Sequence, residues 1–146
     1  LLLNKKTKLL FACLDWRLHP QIEEYFAKNN KCDCCITAGS IKGLIEENSR
    51  QFFLDQIAVS KKLHACQAVI LTAHLDCGAY GGSAVFENIK SEIAFHQEQL
   101  QKAGAIIRKN FPELIIENYI IQLEKHRNNW LIKPQKFILP DIRAND

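Results

Sequence analysis

The sequence lacks the features of several large classes of protein. No apolar run approaches the ~20 residues that a transmembrane helix requires. There are 19 Lys and Arg residues against 16 Asp and Glu, a net charge of +3, so the charge does not indicate a nucleic-acid-binding surface. The chain also has no internal repeat and no low-complexity segment. We therefore expect a globular protein that binds neither membranes nor nucleic acids.

The first residues of the sequence do not match the pattern expected of a secretory signal peptide. Leu1, Leu2 and Leu3 are too few for the apolar core of a signal peptide, and lysines follow the leucines instead of preceding them. Because the chain does not begin with Met, these leucines are also consistent with the remnant of a cleaved or truncated N-terminus. A length of 146 residues suits one hydrophobic core. We predict a single cytoplasmic domain spanning residues 1–146.

Cysteine is well represented, with six residues, and in a cytoplasmic protein cysteines are more often metal ligands or buried thiols than disulfides. Cys32, Cys34 and Cys35 lie close together and suggest either a metal site or packed thiols. Residues 32–37 are typical of a short strand, whose alternate side chains face opposite sides of a sheet. The three thiols then cannot converge on one ion, so we favour packed thiols.

Two short segments elsewhere carry the residues of a metal site. In the first, Cys13 is followed by Asp15 and Arg17, and in the second His74 is followed by Cys77. Each segment follows an apolar run that predicts a buried strand, and the carboxyl ends of parallel strands are where α/β proteins build their sites. Two thiols and one imidazole are ligands that zinc prefers, and three protein ligands leave a fourth position for water.

The rest of the chain alternates between strand and helix patterns. Strands are predicted at residues 8–12, 32–37, 68–73 and 114–123, and helices at residues 19–29, 49–64 and 84–109. This order predicts an α/β fold: a mostly parallel β-sheet of about four strands flanked by helices, with right-handed crossovers. The polar tail after residue 124 has an apolar patch at residues 137–139. It is consistent with a loop and an edge strand, or with an arm that packs on a partner.

Taken together, the two metal-site segments resemble the β-class carbonic anhydrases. In that family a C-x-D-x-R segment and a later H-x-x-C segment supply two cysteines and a histidine to zinc, with the Asp and Arg as a dyad beside the metal. The resemblance runs from about residue 9 to residue 82, and it also includes Leu18, Pro20, Ala38, Gly39, Asp76 and Gly78. It implies a β-carbonic-anhydrase-like fold and Zn²⁺ held by Cys13, His74 and Cys77. It also implies that Asp15 and Arg17 are the catalytic residues.

The same resemblance implies a zinc lyase that reversibly hydrates carbon dioxide to bicarbonate by means of zinc-generated hydroxide, in a homodimer or higher homo-oligomer. Two alternatives stay open. One is hydrolysis of carbonyl sulfide or carbon disulfide, which are linear isosteres of carbon dioxide. The other is a non-catalytic zinc protein in which Asp15 permanently fills the fourth position, since the family shows both open and closed arrangements.

The chain departs from the family at one neighbouring segment. Where many members have R-N-A-G-N, residues 36–40 are Ile-Thr-Ala-Gly-Ser, without the arginine and both asparagines. Groups around the ligands orient them and tune the metal, so this departure bears on catalytic efficiency even where zinc binds.

Five further side chains near or beyond the motifs are assigned from their sequence context. Trp16 stands where smaller residues are usual in the family, so we expect it to point away from the metal, into packing or a subunit contact. His19 is either a proton shuttle near Asp15 or, more simply, an exposed residue of a first helical turn. His64, His96 and His126 are predicted to be surface residues.

Overall fold

A computed structural model of the chain describes residues 6–142, so the three N-terminal leucines lie outside the described residues. The strands are β1 (Thr7–Cys13), β2 (Lys31–Thr37), β3 (Ala68–His74), β4 (Ile115–His126) and β5 (Asn129–Phe137). The helices are α1 (Gln21–Ala27), α2 (Lys42–Ile45), α3 (Arg50–His64) and α4 (Ile89–Asn110). The α/β fold with a mostly parallel sheet is confirmed. None of the helices in this part of the chain is long and apolar enough to cross a bilayer.

The five strands form one sheet in the order β2-β1-β3-β4-β5. The first four strands are parallel, and β5 pairs antiparallel with β4. All seven residues of β3 and the last five of β1 are buried, as expected for central parallel strands covered on both faces. Because β1 and β3 are neighbours that run in the same direction, their last residues, Cys13 and His74, lie at the same edge of the sheet.

The core has two parts, one on each face of the sheet. Phe11 and Leu71 belong to the part covered by α2, α3 and α4, whereas Leu10 and Ile70 belong to the part covered by α1. This assignment follows from the alternation of side chains along a strand. Each fully buried side chain of this size contributes about 1.5–3 kcal/mol, so both layers hold the central strands in place.

The C-terminal tail forms the edge strand that was one of its two predicted alternatives. β4 and β5 make a long antiparallel hairpin, and Phe137 and Leu139 pack against the core of their own chain. Gln21 connects this edge to α1 by hydrogen bonds. The Gln21 side-chain amide donates to the backbone carbonyl of Trp130 and accepts from the backbone N–H of Ile132 (3.1 Å).

The predicted start of the longest helix was wrong, because α4 begins at Ile89 and not at residue 84. Residues Ser83–Val85 form a short 3-10 turn instead. The helix then starts with a capping box, in which the Asn88 side chain accepts from the Ser91 backbone N–H (2.9 Å) and Ser91 Oγ accepts from the Asn88 N–H (3.1 Å). The capping residues set the boundary that the apolar pattern alone placed too early.

The clustered cysteines on β2 point to opposite faces, as the strand pattern predicts. Cys35 is buried in one part of the core and Cys32 packs against the other. Cys34 is exposed, so the expectation of packed thiols was wrong for this residue. Within residues 6–142, none of the three belongs to a group of side chains arranged to hold a metal ion.

Candidate metal centre

The structure brings Cys13, His74 and Cys77 together at the carboxyl edge of the sheet. Cys13 ends β1, His74 ends β3, and Cys77 follows in the turn after β3. All three are buried, and their ligand atoms lie within 4.8 Å of one another. The two Sγ atoms are 3.9 Å apart. The three residues therefore form a site that could hold a metal ion, and they are the three predicted from the sequence.

The orientation of the His74 ring shows which atom would face the metal. Its Nδ1 lies 2.8 Å from the Leu75 carbonyl oxygen, which can only accept, so Nδ1 carries the proton. Nε2 is buried, and no side chain or backbone group within residues 6–142 bonds to it. A buried polar atom without a partner costs about 1–3 kcal/mol. A metal ion bound at Nε2 would remove that cost, so the donor set fits a metal.

The electrostatics of the two thiols also suit metal binding. The hydrogen bond with Cys77 lowers the pKa of the Cys13 thiol, and this effect outweighs burial, which raises the pKa. The Gly39 backbone N–H also donates to Cys13 Sγ (3.4 Å) and lowers the pKa further. Conversely, the nearby Cys13 sulfur and burial raise the pKa of Cys77. One proton is thus shared between two close sulfurs. A metal cation replaces that proton, because it binds both cysteines as thiolates.

Gly39 is required by the geometry around Cys13. Its φ is +75°, and a Cβ added there would lie 2.8 Å from the Cβ of Lys42 and 3.1 Å from the Cβ of Ala79. A hydrogen bond from Thr37 Oγ1 to the Ser40 carbonyl oxygen (3.1 Å) closes the turn. Residues 36–40, which depart from the family pattern, therefore still donate a backbone hydrogen bond, from Gly39, to the Cys13 sulfur.

Asp15 and Arg17 form the predicted pair beside this site. Arg17 Nε lies 3.1 and 3.2 Å from the two carboxylate oxygens of Asp15, and Arg17 Nη2 lies 2.7 Å from Oδ2. Hydrogen bonds from Arg17 hold the pKa of Asp15 below its ordinary value, although burial acts in the opposite direction. The charged Asp15 Oδ2 lies 3.8 Å from His74 Nε2. The pair is therefore next to the position a metal would occupy.

Arg17 also has partners that the sequence did not indicate. Its Nη1 donates to Asp76 Oδ2 (3.1 Å), and its Nη2 donates to the Asp76 carbonyl oxygen (3.0 Å). The guanidinium carbon lies 5.1 Å from the centre of the Trp130 ring. Trp130 lies on β5, and nothing in the polar tail of the sequence linked it to the motif 113 positions earlier.

Two polar residues of α4 are buried, which contradicts the prediction of a surface position for His96. Glu92 is 2% exposed and His96 is 1% exposed. Rings of Tyr80, Phe86 and Phe95 surround His96, and burial lowers the pKa of His96 to about 4. A signal was present in the spacing, since these two positions continue the buried helix face formed by Leu100, Ala103 and Ile107.

The remaining histidines and Trp16 have mixed outcomes. His19 is half-buried: its Nε2 lies 2.7 Å from the Cys13 carbonyl oxygen and its Nδ1 contacts Glu23, so the simple expectation of an exposed residue was wrong. His64 and His126 are exposed, as predicted. Trp16 is 73% exposed, so residues 6–142 leave most of its side chain uncovered. It lies at an open cavity of about 810 Å³ that also contacts Cys13, Asp15, Ala38 and Gly78.

Sequence comparison decides the family. The model of a family described as putative carbonic anhydrase matches residues 3–131. The chain belongs to this family. Among curated proteins, the chain is similar to an uncharacterized protein of Rickettsia bellii (strain RML369-C), at 27% identity over 84% of this chain and 80% of that protein. It is also similar to an uncharacterized protein of Rickettsia conorii (strain ATCC VR-613 / Malish 7), at 26% identity over 84% and 70%.

A solved structure shows the same fold. One of two tetrameric β-carbonic anhydrases from the filamentous ascomycete Sordaria macrospora matches with a TM-score of 0.51, at 13% identity over 80% of this chain and 76% of that chain. The resemblance to β-class carbonic anhydrases that the two motifs indicated is confirmed for family and fold.

Proposed function

We propose that this protein is a zinc-dependent carbonic anhydrase, a lyase that reversibly hydrates carbon dioxide to bicarbonate. The observation that carries the proposal is the buried, unpartnered Nε2 of His74, which faces two thiols beside a carboxylate held by an arginine. Family membership supports the reaction class. A site with two thiolates favours zinc over harder cations, so we assign Cys13, His74 and Cys77 as zinc ligands.

Asp15 and Arg17 would be the catalytic residues. When bound, zinc supplies a water of lowered pKa, and hence a nucleophile, at its open coordination position. Asp15 stays charged because Arg17 lowers its pKa, so it accepts a hydrogen bond from the attacking water and orients it toward the carbon of carbon dioxide. Leu14, Ala38 and Ala79 line the adjacent cavity and give a small apolar substrate an uncharged surface.

A second candidate function is favoured by the position of Asp15. Its Oδ2 is only 3.8 Å from His74 Nε2, so a small rotation would make Asp15 the fourth ligand. A site closed in this way is structural, because no position remains for water. Hydrolysis of carbonyl sulfide or carbon disulfide on the open site is the remaining alternative, since it needs the same ligands and the same dyad.

The proposed enzyme is a homodimer or higher homo-oligomer. Leu14 and Trp16 are 58% and 73% exposed beside the cavity, and large apolar side chains left exposed at the mouth of a site mark a contact surface. The matching Sordaria macrospora proteins are tetrameric. A partner subunit at this position would wall the cavity and shield both side chains.

The test measures metal and reaction in the same preparations. We expect about one zinc per chain by mass spectrometry of the metal and hydration of carbon dioxide in a stopped-flow indicator assay, with carbonyl sulfide assayed in parallel. Cys13→Ala and Cys77→Ala should lose zinc and activity together, whereas Cys34→Ser, a thiol exposed on β2, should keep both. Full zinc without hydration would favour the closed protein, and full zinc in Cys13→Ala would refute the ligand assignment.

A further inference from the structure

Arg17 is held by two acidic residues, not one. Its Nε and Nη2 donate to Asp15, while Nη1 donates to the Asp76 carboxylate and Nη2 also donates to the Asp76 carbonyl oxygen. The guanidinium therefore bridges the turn after β1 and the turn between His74 and Cys77. Only the bonds to Asp15 are explained by the proposed reaction. The bonds to Asp76 need a reason of their own.

Asp76 is itself fixed from several directions. Its backbone has a φ of +60°, and its N–H donates to Glu92 Oε1 at 2.7 Å. Its Oδ1 accepts from the Ser83 N–H at 2.9 Å, and Ser83 Oγ donates to Glu92. Glu92 is buried on α4, so a side chain anchored in the core fixes the backbone of this turn.

This anchoring distinguishes the pair from an ordinary surface ion pair. The Asp76 side chain is 53% exposed, but the Arg17 side chain is only 16% exposed. Exposed pairs stabilise little because two mobile side chains must be ordered to form them. Here Ser83 and Glu92 already order Asp76, and Asp15 and Trp130 already contact the guanidinium. The Arg17–Asp76 contact can therefore act on the orientation of Arg17.

We propose that Asp76, anchored by Glu92 and Ser83, is a positioning residue that keeps Asp15 away from the metal. The Asp76 carboxylate holds Nη1 of Arg17 (3.1 Å), and Arg17 in turn holds the Asp15 carboxylate 3.8 Å from His74 Nε2. Without the Asp76 carboxylate, Nη1 of Arg17 loses its acceptor, so Arg17 and Asp15 can move together until Asp15 fills the fourth ligand position. This role rests on the proposed metal site and controls the balance between its open and closed forms.

The test uses full-length protein loaded with Co²⁺, whose visible absorption reports its ligands, and titrates it with azide as a probe of the open position. In Asp76→Asn and Asp76→Gly, the apparent dissociation constant of azide should rise roughly fivefold, because azide binds only the open fraction. Asn and Gly both tolerate a positive φ, so neither change strains the turn. Asp55→Asn, an exposed aspartate on α3, is the matched control and should behave as the parent.

The decisive comparison repeats the titration with Asp15→Ala present. Since no carboxylate then remains to close the site, Asp76→Asn should leave the azide affinity unchanged in that background. An equal loss of affinity with and without Asp15 would overturn the proposal, as would an unchanged affinity in both Asp76 variants. Failure of the proposed function looks different: the parent would take up no metal, or would bind Co²⁺ and azide normally without hydrating carbon dioxide.

Discussion

Trp130 and Arg17 are in contact although 113 positions separate them in the sequence, with the guanidinium carbon 5.1 Å from the centre of the indole ring. The contact exists because β5 returns antiparallel beside β4 and places Trp130 next to the turn that follows β1. An aromatic face attracts a cation through its quadrupole. The edge strand therefore contributes directly to the position of a residue in the candidate site.

Trp130→Leu should lower carbon dioxide hydration several-fold without removing zinc. Loss of a cation–π contact is worth about 0.5–2 kcal/mol, and the effect should appear in kcat because Arg17 acts through Asp15. Leu131→Ala, at the next position of β5 and 43% exposed, serves as control. If Trp130→Leu is fully active, the indole has no part in placing Arg17.

Asp15→Asn should keep zinc and lose most of the hydration activity, by a factor of roughly 10²–10⁴, the range for a group that handles the reacting proton. The amide lacks the charge with which the carboxylate accepts a hydrogen bond from the attacking water. Stopped-flow rates and zinc content are measured on the same sample, with Asp55→Asn alongside. Parental activity in Asp15→Asn would remove Asp15 from the mechanism.

Removal of the metal should destabilise the native fold. A ligand that binds only the folded state stabilises it by about 4 kcal/mol when its concentration is a thousand times its Kd. We expect a chelator to lower the Tm of the parent substantially, and to leave that of Cys77→Ala nearly unchanged because this variant has already lost its metal. A parental Tm that does not respond to a chelator that demonstrably strips the zinc would contradict this expectation.

The stability of the fold should depend on pH through Glu117. Burial would raise the pKa of Glu117, but the ammonium groups of Lys8 (2.5 Å) and Lys136 (3.2 Å) lower it below its ordinary value of 4.5. A depressed carboxyl pKa stabilises the fold above the unfolded-state pKa, and this contribution is lost as the pH falls through the folded-state pKa.

At pH 7, Glu117→Gln should therefore lower the free energy of unfolding by about 1–3 kcal/mol, because charged hydrogen bonds are lost. The difference from the parent should shrink as the pH falls below the ordinary glutamate pKa of 4.5 and through the lower folded-state pKa. Urea titrations at pH 7 and at a pH below 4.5 measure this difference in the free energy of unfolding. Glu98→Gln, whose side chain is 60% exposed in its pair with Lys102, should have little effect at either pH. A pH-independent difference for Glu117→Gln would show that charge is not the cause.

Trp16→Ser should weaken self-association. The indole is 73% exposed in the single chain, and burying it against a partner would favour assembly through the hydrophobic effect. Light scattering at micromolar concentration should give at least a dimer for the parent and a smaller average mass for the variant. Ile138→Ser, at a position that is 96% exposed beyond β5, is the control. A parent that is strictly monomeric and fully active would refute the assembly.

The sequence was most informative about the central strands and the residues at their ends. The apolar runs before Cys13 and His74 predict buried strands, and adjacent parallel strands necessarily bring their last residues to one edge. Two local motifs thus predicted a cluster that depends on contacts between distant parts of the chain. The ion pair of Asp15 with Arg17 was predicted from the resemblance to β-class carbonic anhydrases, in which these two residues form a dyad beside the metal.

What the sequence did not reveal depends on packing between elements that no local pattern connects. β5 is an antiparallel edge strand whose apolar and polar residues do not indicate a partner strand, so neither its pairing nor the place of Trp130 could be predicted. His96 was assigned to the surface because it is a polar residue of a helix, and its spacing on the buried face of α4 was not used. Glu92, of a type almost never fully buried unless paired, drew no prediction at all. α4 starts at Ile89 because Asn88 and Ser91 form the capping hydrogen bonds there, and the apolar pattern did not indicate this start.

The side chain of Gln21 has a consequence for how the sheet can grow. Its amide takes the outward-facing carbonyl of Trp130 and the outward-facing N–H of Ile132, the two backbone groups that an added strand would use. Gln21 therefore occupies the backbone groups with which a neighbouring strand would pair at this part of the β5 edge. β2, at the other end of the sheet, has no strand on its outer side in the described chain. Unpaired strand edges are templates for addition, so of the two edges in the described chain β2 is the one left open along its length.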